Sequence, residues 1–593
     1  MIIKIPQNIT WPQLNQGNLL GTLAMSRDID LDTPGLLRLA PRTRVVAQTT
    51  TGNFVDTKAL EFQGNQYWIA SDRLFSMDAD LTNFEQCAEA SVPTTSINDM
   101  TVWNGALFVS DATRVSRRRT GFGWNTPFSD TDFDEVGTDF PHPVEPNVTN
   151  ENLLVGDGLT LKKVSTAGVI ETAITFFSGH RIKWIRRGAN VNYIGLSPSW
   201  TSTETPRSRN GYVAIWDGLD TTLGYNSLIP LNCREALSAV VDDNGVLHIF
   251  TSDGRLMYFN GTNFSYKAEL APFRSPLARR SWGGTLDFGR KVFQRGMQVI
   301  RGRIHVVINA VTTDQIMQPE FQSGVYVYDE ANQAFYHKYA PSNSATITDF
   351  GQSVFSTGPS ALLPLVESDQ TDSEPDDAVG SRLLFGGRLY PNTIGGTALR
   401  TLVSATTGVN RGQFATVRIE SQDITDNNLF LWCKYQGLNT ANDKIVFKYR
   451  NSQRDPFVLT SGVPTWTSST VFTTTDTKMA DAEVGDEITI LSGNGAGSTA
   501  HITIISENAG TYTVTLDEAI TGISASDTAW IMVENWTRLP DEITYTDTEG
   551  YKKIQIEARK ATTIELKGEL RGEGGVVAIK ELSLVKKGDI PIE

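Results

Sequence analysis

Short apolar runs alternate with turn residues along most of the chain, and stretches with helical periodicity are missing. Leu247–Phe264 reads LHIFTSDGRLMYFNGTNF. Its pattern predicts a buried strand at Leu247–Phe250, a turn at Asp253-Gly254, a second strand at Arg255–Phe259 and a turn at Asn260-Gly261. Asp-Gly and Asn-Gly suit type I′ turns, whose two central residues both need positive φ. The same phrase recurs at Gln66–Phe84, Ala106–Trp124 and Asn152–Ile170. It recurs with insertions at Val191–Trp216 and Ile304–Tyr336, and a last weak copy stands at Arg382–Tyr390. Residues 68, 107, 153, 191, 247 and 304 anchor the six clear copies, at spacings of 39, 46, 38, 56 and 57.

Repeats of roughly 40–50 residues with four strands each have the size of β-propeller blades. A four-stranded blade is apolar on both faces, so neighbours packed around a ring must cover it. The expectation is an all-β protein with a six- or seven-bladed propeller over residues 46–410, after an N-terminal arm at 1–45. Two sandwiches of unrelated hairpins are the other arrangement such strands permit. Residues 411–464 and 534–593 alternate in the manner of a jelly-roll-like β-sandwich. Residues 465–533 carry about five short strands of their own and read as a small β-barrel inserted into it.

The chain has 593 residues, 12 Trp, 27 Phe and 16 Tyr, enough for several large cores. Its net charge of −15 disfavours a free-standing nucleic-acid or anionic-membrane binder. No run approaches about 18 apolar residues, so no membrane insertion is expected. The first residues lack a charged region followed by an apolar run, so no secretory signal is expected. Cys87, Cys233 and Cys433 lie far apart, which points to free thiols rather than a disulfide framework or a zinc site.

Basic residues are clustered. Arg274, Arg279, Arg280, Arg290, Lys291, Arg295, Arg301 and Arg303 face one acid, Asp287, over 274–303, a local balance of +7. Trp282, Phe288 and Phe293 are interleaved with them. A second cluster is Arg114, Arg117, Arg118 and Arg119, before Phe122 and Trp124. A third is Arg181, Lys183, Arg186 and Arg187 around Trp184. Arginine with aromatics is the composition of an interface hot region or a single-stranded nucleic-acid groove. The candidate partner surface is therefore the 274–303 cluster with Arg117–Arg119, against the alternative of solvated loops. By contrast, Val366–Asp377 carries six acids and no base. It reads as a solvated loop, with acidic docking as the other reading.

Catalytic and metal-binding signals are weak. Asp130, Asp132 and Asp134 have the D-x-D-x-D spacing of a calcium loop, but Glu135 stands where that loop needs Gly and Pro141 where it needs Glu. A solvated acidic loop is expected there, with no metal and no cofactor. The S-x-D-x-G-x-T-W boxes usual in sialidases are missing, Thr251–Gly254 being the nearest fragment. GxSxG, a P-loop and a dinucleotide fingerprint are missing too. No enzymatic activity is expected.

Asn18–Val46, a non-repeat leader through Thr33-Pro34-Gly35 into a basic strand, resembles the leader of tailed-bacteriophage virion proteins built on a β-propeller. VGDEITILSGNGAGSTAHITIISENAGTYTVTLDEAI is similar to small β-barrel inserts of phage tail and fibre proteins. Lys552–Val585 is similar to the terminal sandwich strands of podophage tail-hub and nozzle proteins. The resemblance spans about a quarter of the chain and carries over no functional residue. It implies a structural part of a phage tail (hub, nozzle or tail tip), made in the host cytoplasm and located in the virion. Its implied partners are other tail or neck proteins, further copies in a homo-oligomeric ring, and DNA if it lines a tail channel. The alternative is a phage protein that recognises or cleaves carbohydrate, with a host surface glycan as partner.

Overall fold

The structure is a computed structural model. It describes residues 2–5, 23–27, 29–30, 36–39, 42–49, 59–70, 73–78, 83–89, 91–92, 97–135, 142–198, 210–219, 227–233, 235–269, 296–300, 302–308, 324–330, 333–339, 359–365, 382–388, 397–403, 410–416, 419–420, 429–450, 457–459, 463–490, 498–520, 522–556, 563–572 and 577–586. Among them there is no α-helix, and no helix long and apolar enough to cross a membrane.

Seven four-stranded antiparallel sheets follow one another among the described residues. Sheet 1 holds Ala59–Phe62, Asn65–Ala70, Arg73–Asp78 and Glu85–Gln86. Sheet 2 holds Asp99–Trp103, Ala106–Ser110, Val115–Arg119 and Trp124–Phe128. Sheet 3 holds Val144–Pro146, Asn152–Asp157, Thr160–Ser165 and Ile170–Thr175, and sheet 4 His180–Arg187, Asn192–Pro198, Tyr212–Trp216 and Leu228–Pro230. Sheet 5 holds Ala236–Val241, Leu247–Thr251, Arg255–Phe259 and Phe264–Glu269, and sheet 6 Met297–Ile300, Arg303–Ile308, Gly324–Asp329 and Ala334–Tyr339. Sheet 7 combines Pro359–Leu365, Arg382–Arg388 and Thr397–Val403 with Arg42–Thr49, its outermost strand, from the far end of the chain. First strands of successive sheets lie against each other from 1 to 7, and that of sheet 7 lies against that of sheet 1. The sheets therefore close into a ring. This ring is a β-propeller.

Burial explains the recurring phrase. The second strands of sheets 1, 2, 3, 5 and 6 carry the repeat anchor, Val191 stands one residue before that of sheet 4, and the weak copy at 382–390 begins on the second strand of sheet 7. Such strands are covered on both faces, so they read as continuous apolar runs rather than alternation. Ala106–Ser110 and Leu247–Thr251 are buried at every position. Each core between sheets draws on two neighbours. Leu154, Leu161 and Ile174 of sheet 3 meet Ile182, Ile194 and Trp216 of sheet 4. Phe250 and Leu256 of sheet 5 meet Val306 and Tyr326 of sheet 6.

The turns divide into two kinds. Gln63-Gly64 and Asn104-Gly105 have both residues at positive φ, the type I′ geometry. At Asp253-Gly254 and Asn260-Gly261 only the glycines are left-handed, which corrects the expectation of type I′ there. Gly254 N–H instead donates to Thr251 O, and Asn260 Oδ1 accepts from Thr262 and Asn263 N–H. The Asn260 side chain thus holds its turn in place of a second strained residue.

Two larger sheets stand beside the ring. One runs Ile29–Asp30, Leu37–Leu39, Ala578–Lys586, Leu429–Gln436, Tyr551–Ile556, with Ile2–Ile5 also paired to Ala578–Lys586. The other centres on Asn410–Thr416, Thr563–Gly572 and Lys444–Arg450, and Leu23–Arg27 joins its edge. Three of these strands, Ile2–Ile5, Leu23–Arg27 and Leu37–Leu39, thus pair with strands more than 350 residues away. One core fills the space between these sheets, including Leu431, Cys433, Phe447, Ile564 and Leu566, and it takes in Val327 and Tyr336 of sheet 6. Within it the Phe414 ring lies over Gly568, where a Cβ would sit 2.3 Å from the ring. Gly568→Val is therefore expected to cost about 1–3 kcal/mol through overpacking, read as a lower urea midpoint with an unchanged slope.

A third, seven-stranded sheet covers the inserted segment and begins earlier than the sequence pattern indicated, at Phe457–Leu459. Its end strand Thr465–Ser468 bridges back through Thr465 to Thr528, next to the strand Ile531–Glu534. The curled sheet encloses Trp466, Phe472, Ile488, Val514 and Ile531. This unit is called the barrel below.

Candidate functional site

Arg117, Arg118 and Arg119 lie on the third strand of sheet 2, so alternate side chains point to opposite faces. Arg118 turns toward sheet 1, donating to Tyr67 Oη at 2.9 Å with its guanidinium 5.9 Å from the Tyr67 ring centre. Burial pushes the Tyr67 hydroxyl up, and Arg118 opposes that. Arg117 donates to Asn125 Oδ1 at 3.2 Å on the neighbouring strand. Partial burial, and then the adjacent Arg119 charge, lower the Arg117 pKa. Arg119 is exposed. Beyond it the hairpin tip carries Phe122, 74% exposed, between Gly121 and Gly123. Gly121 takes φ +71°, which lets the tip turn. Trp124, which the sequence grouped with Phe122 after the basic cluster, is buried in the core between sheets 1 and 2.

The third basic cluster is an internal fastening between sheets. Trp184 Nε1 donates to Ala236 O at 2.9 Å, and Arg186 Nε to Ala239 O at 2.7 Å, both on sheet 5. Lys183 pairs with Glu235 at 2.8 Å. Arg187 reaches back to Val148 O and Asn150 Oδ1 beside sheet 3. Arginine stems and an indole with a partner for its N–H suit such positions between sheets.

The D-x-D-x-D segment is organised by a lysine. Asp132 Oδ2 accepts from Ser129 N–H at 2.8 Å. Lys162 Nζ donates to Asp132 O at 2.5 Å and pairs with Asp157 at 2.9 Å and Asp134 at 3.4 Å. Asp157 also accepts from Asp134 and Glu135 N–H. The Lys162 ammonium thus occupies the place a cation would take between Asp134 and Asp157. Among the described residues no cluster of metal-ligating side chains is found. Of the largest basic cluster, Arg274, Arg279, Arg280, Trp282, Arg290, Lys291, Arg295 and Arg301 lie outside the described residues. So does the acidic stretch Val366–Asp377. Arg303 is exposed and donates to Tyr336 Oη at 3.4 Å.

Sequence reasoning missed a buried ionic junction between the second large sheet and the barrel. Lys448 and Lys567 project from neighbouring strands of the sheet to Glu487 of the barrel, at 3.0 and 3.3 Å. Lys448 also lies 3.4 Å from Glu569, which contacts Arg571. Lys448, Lys567, Glu487 and Glu569 are all buried. Burial alone raises the Glu487 carboxyl, but Lys448 and then Lys567 outweigh it and hold it well below the usual carboxylate range. Toward the surface, Arg538 pairs with Asp517, Glu518 and Glu542. In the sequence these lysines occupy the outward positions of alternating strands. Only docking of the barrel buries them.

The barrel is also strongly acidic. Residues 465–533 contain nine Asp or Glu and one basic residue, Lys478, a balance of −8. Val484 is 65% exposed beside exposed Asp481 and Glu483, and Ile504 is 56% exposed on the hairpin Thr499–Asn508/Thr511–Leu516. The described surface thus offers two unlike patches, a basic aromatic tip on sheet 2 and an acidic apolar knob on the barrel.

No protein-family model matches the sequence, and no curated protein matches it. Solved structures similar to it include virginiamycin B lyase from Staphylococcus aureus, with 8% identity over 61% of this chain and 99% of that chain and a TM-score of 0.38. Another is the N-terminal domain of Nup159, with 9% identity over 64% and 99% and a TM-score of 0.36. A third is the β-propeller domain of Cps50 (Swd1) from Myceliophteria thermophila, with 7% identity over 61% and 99% and a TM-score of 0.37. These are likenesses of fold. The propeller assignment stands on the sheet order and ring contacts themselves.

Proposed function

We propose that this chain is a structural subunit of a bacteriophage tail, in the hub, nozzle or tail-tip assembly, acting by assembly with neighbouring virion proteins and with copies of itself. In this reading it is a seven-bladed propeller joined to a β-sandwich that carries a small barrel. The observation that carries the proposal is how the chain ties itself together. Arg42–Thr49 closes the ring, Ile2–Ile5 pairs with the last strand, and the sandwich core takes in Val327 and Tyr336. Such long-range pairing makes one stiff block from parts that would otherwise be joined by linkers, as a rigid structural subunit requires. The prominent polar clusters outside the barrel support the same reading, since Asp157, Lys162, Lys183 and Arg186 are spent on internal contacts.

The carbohydrate alternative would place sugar-stacking aromatics on the sandwich. On its outer face Trp432 stacks on Tyr551 at 4.9 Å, and Lys553 lies 3.9 Å from the Phe430 ring centre. Each of these rings therefore has a protein group against a face that a sugar would use, which favours the structural reading. Mass spectrometry of purified phage particles tests it. The expected result is this chain in the particle at a fixed multiple per tail. Its absence from particles, together with binding or turnover on a glycan array, would overturn it.

A further inference from the structure

We propose that copies of this chain join head to tail, with the acidic barrel knob of one copy seated on the basic tip of sheet 2 of the next. The inference rests on the assembly reading above and adds the surfaces that meet. On the receiving side, Phe122 stands exposed at the hairpin tip, with Arg119 exposed and Arg117 partly exposed on the strand leading to it. The acids of sheet 2, Asp99 and Asp111, are fully buried, and Asp111 is paired with Arg114. The exposed Glu89 carboxylate also approaches the tip at Gly123, but Arg117 and Arg119 outnumber it, so the charge near the tip is net positive. On the giving side, Val484 projects beside Asp481 and Glu483, on a unit whose balance is −8.

An exposed aromatic flanked by arginines is the composition that dominates interface energetics. Guanidinium and carboxylate meet in a paired geometry that lysine cannot match. The occupant that fits is an apolar residue beside carboxylates, and the barrel of a second copy presents one in Val484, next to Asp481 and Glu483. Position also favours self-assembly. The sandwich packs on sheet 6, and the barrel is fastened to the sandwich through Glu487 and Lys448. Sheet 2 lies across the ring from sheet 6, three sheets away one way and four the other. One protomer thus carries two unlike, complementary surfaces on different parts of its body. A contact of that kind is heterologous and repeats from copy to copy, forming a ring when the rotation closes.

Mass photometry and sedimentation velocity of the full chain over a concentration series test this. The wild type is expected to form species above 65.2 kDa that weaken as salt is raised. Arg119→Glu with Phe122→Glu removes the tip, and Glu483→Lys with Val484→Lys removes the knob. Either variant alone is expected to stay monomeric with an unchanged melting curve, because all four side chains are exposed. Mixing the two is expected to give a dimer and nothing larger, since each brings one intact surface. Arg119→Glu combined with Glu483→Lys in one chain is expected to regain assembly. If the wild type assembles and both variants assemble equally well, this interface is wrong while the assembly reading survives. A wild type that stays a single-copy species at every concentration overturns the head-to-tail contact, and the particle measurement above then decides the tail reading separately.

Discussion

Glu487→Gln is expected to cost about 3–5 kcal/mol, the scale for removing one partner of a buried ion pair. Glutamine keeps the shape but leaves Lys448 and Lys567 with too little negative charge at a site sealed from water. The loss is expected to be local first. Amide exchange in Glu487–Ile490 and in the facing strand Lys444–Arg450 should rise before that in the propeller sheets. Acid should mimic the substitution. The folded-state pKa of Glu487 lies below its unfolded value of about 4.3, so its stabilising contribution is complete above that value. It is lost as pH falls below about 4.3 toward the depressed folded value. Asp517, held down mainly by hydrogen bonds and charge from His501 and then by Arg538 against the opposing effect of burial, acts in the same direction. The barrel is therefore expected to loosen from the sandwich at acidic pH, visible as new protease cuts on its flanks. A Glu487→Gln chain with wild-type stability and exchange would show that the junction contributes nothing to docking.

Trp184→Ala is expected to cost about 3–5 kcal/mol, the range for truncating a buried aromatic. The indole is fully buried, donates to Ala236 O of the next sheet and lies across Gly195, where a Cβ would meet it at 2.1 Å. Truncation therefore leaves an orphaned carbonyl and a void between sheets 4 and 5. Gly195→Ala alone should destabilise through the opposite fault, too much volume. In the Trp184→Ala background the added methyl enters the void, so the double variant should be more stable than the sum of the single losses implies. Strict additivity in thermal melts would mean that ring and glycine do not share that space.

The fold was legible where burial acts on contiguous sequence. Strands such as Leu247–Thr251 are covered on both faces, and their unbroken apolar runs give the ring its period. Arg382–Arg388 kept that run only as a weak copy, so the sequence left six and seven repeats both open. Pairing over long sequence distances left no local trace, so nothing in Ile2–Ile5 or Leu23–Arg27 points to partners near the other end of the chain. The sites were harder for the same reason. The Arg186 cluster reads as an exposed basic patch, yet its guanidinium is consumed by Ala239 O of the neighbouring sheet and Ile185 O of its own strand. Lys448 and Lys567 read as solvent-facing, because the barrel that buries them is inserted from a different stretch of chain. The exposed Phe122 beside Arg119 was legible as composition, although its neighbour Trp124 belongs to the core.

We propose that this chain is a stiff building part that assembles with its own kind. Electron cryomicroscopy of the purified full chain at high concentration tests that most directly. The account expects closed or helical assemblies in which each Phe122 tip meets the barrel of the next copy. Isolated single copies at every concentration, or two-fold dimers joined through some other face, would contradict it.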